Sequence, residues 1–159
     1  HTPGFVSESP INRSSGSKVI IAIPVRISES NAPRIISVPK DFATYGLGVK
    51  GDTRAEIVFF ESDRFFDQVD LKSANCWIQW VNTSTQAKGN SQSVYMDATE
   101  EKLLFGWVIT EEMTSGAGNI EFAVRWFTTD ENGNISYSVS TQKATCSIKS
   151  SLDLDIKDL

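Results

Sequence analysis

The chain contains one histidine, and it is the first residue, His1. Ser–His–Asp and Cys–His mechanisms need a base held beside the nucleophile, and an unpatterned leader offers no such hold. Cysteine is almost as scarce: Cys76 and Cys146 stand seventy positions apart. Together with a terminal His they fall short of the four ligands of a structural zinc site. Two buried thiols are expected, with a bridge between strands as the alternative in an oxidising compartment. Long apolar runs are missing. The longest, VIIAIPV at 19–25, contains Pro24 and lies far below the roughly 18–20 residues of a membrane helix. The opening HTPGFVSESP carries neither the basic region nor the apolar stretch of a signal peptide, and a start without Met suggests an excised fragment. No Lys/Arg block relieves a net charge of −5, so neither nucleic acid nor membrane is an expected partner. G-x-S-x-G, P-loop and G-x-G-x-x-G patterns are absent as well.

Helical periodicity is nearly missing too. Only DATEEKLL (97–104) and ITEEMTSGAG (109–118) place helix formers at useful spacing, for about two turns each at most. Alternation is what remains, and it rarely stops after residue 17. In 18–27 one face carries Val19, Ile21, Ile23, Val25 and Ile27. Pro24 lacks a ladder donor and predicts a sheet edge there. RIISV (34–38) and RAEIVFF (54–60) are the next apolar pieces. NCWIQWVN (75–82) sets Cys76, Ile78 and Trp80 against Trp77, Gln79 and Val81, and SVYMDA follows the turn-prone TQAKGNSQ (85–92). KLLFGWVIT aligns Leu103, Phe105, Trp107 and Ile109. NIEFAVRWF opposes Ile120, Phe122, Val124 and Trp126 to Glu121, Ala123 and Arg125. A hairpin is expected at the two-residue turn Asn132-Gly133, whose central positions both take positive φ, with Ile135, Tyr137 and Val139 on one side of the returning strand. Ala144, Cys146 and Ile148 supply a last strand.

With 40% hydrophobic residues, nine Phe and four Trp in 159 positions, the chain has material for one packed domain. Short strands with turn signals between them predict an all-β fold, an immunoglobulin-like β-sandwich of about seven to nine strands. The immunoglobulin Cys–Trp–Cys spacing is not met, because Trp77 follows Cys76 directly. The expected organisation is a flexible leader or assembly arm at 1–17, one sandwich domain at 18–152, and a tail or connector at 153–159.

Two clusters carry any chemistry. Glu61, Asp63, Asp67 and Asp70 crowd one connection, interleaved with Arg64 and Lys72. Paired carboxylates do general acid–base work when a fold holds them about 5–10 Å apart across a cleft. Local ion pairing on a solvated connection is the reading preferred here. The spacing matches no calcium loop, and in TTDENGNISYSV the twelfth position is Val139 instead of Glu. No metal, cofactor or catalytic residue is therefore expected. The second cluster is aromatic. Trp80, Trp107 and Trp126 read as core, whereas Trp77 lies opposite an apolar face already complete. Exposed, it would mark a sugar platform or a protein contact. Trp77, Gln79, Phe65 and Phe66 form the candidate interaction surface. Three N-x-S/T triplets begin at Asn12, Asn82 and Asn134.

The stretches KGDTRAEIVFFESDRFFDQVDLKSANCWIQWVN, KLLFGWVITEEMTSGAGNIEFAVRWF and ENGNISYSVSTQKATCSIKSSLD resemble a module of virion proteins from tailed phages of Gram-positive bacteria. The similarity is to the N-terminal domain of baseplate upper proteins and related tail or head-fibre proteins. It rests on the E-x-x-R-F-F-D-x-x-D-L connection before a strand ending W-V-N, the L-x-F-x-W-x-I strand, the G-A-G-N-I-E-F-A-V-R-W strand and the N-G-N-x-x-Y-S hairpin. It spans about residues 50–152 and leaves the first 45 unmatched. The resemblance implies an immunoglobulin-like sandwich acting as an attachment or adaptor module of the particle, assembled in the host cytoplasm. Arg64, Phe65, Phe66, Asp67, Asp70 and Leu71 would then be structural. Other virion proteins in a symmetric or homo-oligomeric assembly are the implied partners. A host surface glycan, bound by an adhesin module, is the alternative.

Overall fold

The period-two pattern of 118–129 becomes the longest strand of the computed structural model, which describes residues 20–23, 34–39, 48–49 and 56–149. In chain order the strands are β1 (Ile20–Ile23), β2 (Gly48–Val49), β3 (Glu56–Asp63), β4 (Phe65–Phe66) and β5 (Val69–Asp70). After a 3-10 turn at Leu71–Ser73 come β6 (Asn75–Asn82), β7 (Lys88–Gln92), β8 (Val94–Ala98) and β9 (Lys102–Ile109). The last three are β10 (Gly118–Thr129), β11 (Ile135–Ser140) and β12 (Ala144–Lys149). Setting aside the two-residue pieces β2, β4 and β5, nine strands remain among the described residues. The expected leader and tail, and Pro24, lie outside them.

The strands form a sandwich of two sheets. One has the order β1-β3-β9-β8; the other runs β2-β12-β10-β6-β7, with β11 also on β10. As the proline predicts, β1 ends its sheet, yet it joins β3 in parallel. Inward residues of both sheets meet in one core. Phe60 and Trp107 from the first sheet reach Phe122 of the second at 6.0 and 4.9 Å between ring centroids. Phe105 packs edge-on against Trp126 at 5.8 Å. Such pairs add about 0.5–1.5 kcal/mol each beyond the area they bury. Trp107, Trp126, Phe60 and Phe105 have no exposed surface.

Both sides of the sandwich are closed by chain that passes between sheets. β7 and β8 are separated only by Ser93, whose N–H donates to the Cys76 carbonyl. RIISV is a strut across the other side, with a single bridge of Ser37 to Ala22 of β1. Its Arg34 accepts from Gln142 N–H and donates through Nε to the Ser140 carbonyl. That strut docks where β11 and β12 part. Both pair antiparallel with β10, but residues 141–143 leave the ladder. There Thr141 turns inward, and its Oγ1 accepts the Val124 N–H at 3.0 Å.

Four expectations are corrected. Residues 97–104 are not helical: they end β8, turn and begin β9, and Thr99 Oγ1 accepts from the N–H groups of Glu101 and Lys102 in the turn. Residues 110–117 make successive i→i+3 turns without a regular helix. Cross-strand packing of Leu103, Phe105 and Trp107 outweighs the local helix propensity of the glutamates. TQAKGNSQ is not a loop, since 88–92 is β7, an edge strand held by its ladder with β6. The hairpin after β10 exists, but its turn is not the two-residue Asn132-Gly133 type, because only Gly133 has positive φ (84°). Asp130 organises a longer loop: its carbonyl accepts Gly133 N–H and its Oδ1 accepts from Asn132 and Asn134.

Candidate functional site

The acidic connection is where chemistry was sought, and the fold disperses it. Glu61 and Asp63 alternate with the core residues Phe60 and Ser62 on β3, and therefore face outward. Asp63 pairs with Lys102 across the β3–β9 ladder at 2.8 Å, whereas the sequence pointed to Arg64 and Lys72. Asp63's hydrogen bond is the main reason the Lys102 pKa is raised. Asp67 is exposed at the tip of the small β4–β5 hairpin. There Asp67 and Gln68 take φ of 51° and 64°, the left-handed geometry of a two-residue hairpin turn.

Asp70 is the structural member of the set. Arg64 grips it with two parallel bonds, Nε to Oδ1 at 3.0 Å and an NH2 group to Oδ2 at 2.9 Å. The same guanidinium donates to the Thr99 carbonyl at 2.8 Å, tying the connection to the β8–β9 turn. Asp70 Oδ1 also accepts Lys72 N–H and caps the 3-10 turn. Arg64's bonds, aided by that cap, hold the Asp70 carboxyl below its ordinary 3.8. Leu71 beside it is fully buried. Among the described residues no three His, Cys, Asp or Glu side chains converge as metal ligands. This is a joint between strands.

Cys76 and Cys146 are both buried and free. Cys76 faces Trp126 of β10 and Cys146 faces Ile120. Six positions along one strand separate the thiols by about 20 Å, far beyond the roughly 7 Å between Cα atoms that a disulfide tolerates. Burial pushes both thiols up to about 12, so they are inert filling.

The four candidate surface residues divide. Phe66 is a correction: it is 3% exposed and belongs to the main core, with the Arg34 guanidinium over its ring at 5.6 Å. Turning one Phe of the pair outward necessarily turns the next one inward. Phe65 is the outward one, half covered by Arg64 at 5.3 Å from its centroid. Trp77 is half-buried and Gln79 exposed on the outer face of β6, where the alternation had placed them. Phe65 sits on a separate hairpin and is no part of that face.

On the outer face of the larger sheet, β6, β7 and β10 form an open recess of about 520 Å³. Its floor is Ala123 with the backbone of Gly89, its walls Gln79 and Asn90, and its rim Lys88, Glu121 and Lys143. The ladders place Gln79 opposite Asn90 on one side and Ala123 on the other. Lys143 pairs with Glu121 at 3.3 Å. Sequence reading found Gln79 alone of this group. Its β7 members were missed because that strand, KGNSQ, carries no apolar face and reads as a turn.

At one end of the sandwich Asn82 is fully buried and satisfied on all four counts. Its Nδ2 donates to the Met113 and Gly116 carbonyls, both at 2.9 Å, and its Oδ1 accepts from Ser84 and Thr85 N–H. Held this way, the folded Asn82 is not accessible as a glycosylation acceptor.

The fold and the open face define an all-β sandwich whose larger sheet presents a polar recess. No family model matches the chain, and no curated protein matches it. Among solved structures it is similar to the N-terminal domain of phage TP901-1 ORF48, with a TM-score of 0.48 and 9% identity over 83% of this chain and 96% of that one.

Proposed function

We propose that the chain is a non-enzymatic structural module of a tailed-phage particle. In this reading it serves as an attachment or adaptor element of a tail baseplate, or as a capsid fibre or decoration element, binding other virion proteins in a symmetric assembly. The observation that carries the proposal is the virion-module resemblance across about residues 50–152. What the motif residues do supports it: Arg64 clamps Asp70, Phe66 and Leu71 fill the core, and the four carboxylates face no common recess. An immunoglobulin-like attribution of the sandwich belongs to the same reading. The test is mass spectrometry and immunogold labelling of density-purified particles from cells that make this chain. It is expected in the particles at a fixed ratio to the major capsid protein. A chain made in infected cells yet absent from the particles overturns the reading.

A second reading, a carbohydrate- or receptor-binding adhesin, is favoured by one observation. Trp77 is only half-buried on the outer face of β6, two positions from exposed Gln79, and such a ring can stack on a sugar. Its test is glycan-array binding that disappears in Trp77→Ala.

A further inference from the structure

The recess on the larger sheet has an identifiable cause. β12 pairs with β10 as far as Phe122, and β11 takes over at Arg125. Ala123 thus lies on the outer face beside the departing residues 141–143, and Thr141 there is directed inward to Val124. The methyl side chain of Ala123 next to that gap, between the longer Glu121 and Arg125 on the same face of β10, leaves a depression in the outer face. Its volume of about 520 Å³ falls within the roughly 300–1,000 Å³ of ordinary small-molecule sites.

The walls specify what fits. Gln79 and Asn90 are direct cross-strand partners, both exposed. Neither amide bonds to any other side chain or backbone group among the described residues. Each carries donors and an acceptor, the complement of sugar hydroxyls, which both donate and accept. Trp77 lies on the same face two residues before Gln79, about 7 Å along the strand, and offers an apolar ring face beside the depression.

Charge narrows the class further. Glu121 is already neutralised by Lys143. Lys88 has no carboxylate partner among the described residues, and Arg125 donates only to the neutral Ser138 hydroxyl. This face is therefore cationic on a chain of net charge −5, which favours an anionic occupant. We infer that the recess framed by Gln79, Asn90, Ala123 and Lys88 binds an acidic saccharide, a sugar carrying carboxylate or phosphate, with Trp77 stacking on its ring. The inference deepens the second reading above and draws nothing from the first.

The test is titration of the isotope-labelled full chain with trigalacturonate, maltotriose phosphate and neutral maltotriose, followed through backbone and side-chain amide resonances. Trigalacturonate separates a carboxylate source from the phosphate one. At up to roughly 10 mM ligand, where even weak millimolar binding registers, the side-chain amide signals of Gln79 and Asn90 and the Trp77 indole signal are expected to shift with an acidic sugar. Maltotriose is expected to bind at least about tenfold more weakly, and added salt to weaken the acidic complex. Lys88→Glu and Ala123→Leu are each expected to cost about tenfold or more in affinity, and Gln79→Ala serves should leucine disturb packing. The spectra themselves report whether each variant is folded. Ile135→Ala, on the exposed distal hairpin, is the control expected to bind normally.

No shift with any of the three sugars overturns the inference together with the adhesin reading. Binding lost in Trp77→Ala but unaffected by Lys88→Glu, Ala123→Leu and Gln79→Ala overturns the inference and leaves the adhesin reading standing. Equal affinity for maltotriose also overturns it, because the occupant is then a neutral sugar. A face protected by another virion protein, with no sugar response in the free chain, overturns it in favour of a protein contact.

Discussion

The two sheets of this sandwich treat their outward faces in opposite ways. On the smaller sheet, Ile57, Phe59 and Leu104 point away from the main core, yet form a second apolar cluster with Phe59 4% exposed. Gly106 lets that cluster close, since a Cβ there would stand 2.9 Å from Ile57 Cγ2. On the larger sheet the corresponding positions are Trp77, Gln79, Glu121, Ala123 and Arg125, half-buried or exposed. Hydrophobic stabilisation follows area removed from water. One outer face therefore contributes to folding, and the other is free to serve recognition.

The sharpest way to break that contrast is to truncate one aromatic on each face. Phe59→Ala is expected to lower unfolding free energy by about 3 kcal/mol, as for other large-to-small changes at buried sites. Trp77→Ala, despite the larger side chain removed, is expected to cost no more than about 1 kcal/mol. Urea denaturation followed by far-ultraviolet circular dichroism measures both. Equal losses would mean that the two faces are buried alike.

Next in size is the polar counterpart of a core residue. Asn82→Ala strands two carbonyls and two N–H groups at the end of the sandwich and is expected to cost about 2–3 kcal/mol. Asn82→Asp has nearly the same shape but turns its two donors into acceptors facing the Met113 and Gly116 carbonyls. It is expected to be worse than alanine at neutral pH and to recover as the pH falls and the carboxyl protonates. Equal losses in the two variants at every pH would assign the residue a packing role.

The faces also differ in how readable they were. Alternation in 75–82 and 118–129 placed Cys76, Ile78, Trp80, Ile120, Phe122, Val124 and Trp126 inward, and all are buried. A strand with one face in a core writes period two directly into its sequence. β7 gave no such signal, because KGNSQ is polar on both sides. Its stability comes from the antiparallel ladder with β6, the strand just before it, and not from an apolar face of its own. The recess was illegible for a different reason. Gln79, Asn90, Ala123 and Lys143 come from four segments, and the gap beside Ala123 lies where residues 141–143 leave the ladder and Thr141 bonds inward. For Phe66 alternation was the correct guide, and placing both rings on one interaction surface was the error: in adjacent Phe65 and Phe66 only one can face out.

The Arg64–Asp70 joint provides a gentler test, as a partly exposed pair whose side chains are 25% and 29% accessible. Asp70's pKa is lowered in the folded chain, chiefly by Arg64. Its stabilising contribution is therefore complete above the ordinary value of 3.8 and disappears as pH falls through the lower folded value. Asp70→Asn is expected to be less stable than the parent at neutral pH, with the two converging in acid. A difference that persists unchanged below that window would assign the loss to the cap on Lys72 rather than to charge.

The smallest effect concerns the turn at the tip of that joint. Asp67 and Gln68 both sit at positive φ, where an L-residue other than Asn, Asp or Gly loses roughly 1 kcal/mol. Asp67 tolerates the geometry through its short polar side chain, but Gln68 has no such compensation. Gln68→Gly removes the clash and returns part of the gain as added freedom of the unfolded chain. The balance is expected to favour the variant by about 0.5 kcal/mol, read as a small rise in the denaturation midpoint at unchanged slope. The sign is the informative part. If residue 68 had negative φ, glycine would bring only the entropic cost and the midpoint would fall, because there would be no left-handed strain to relieve.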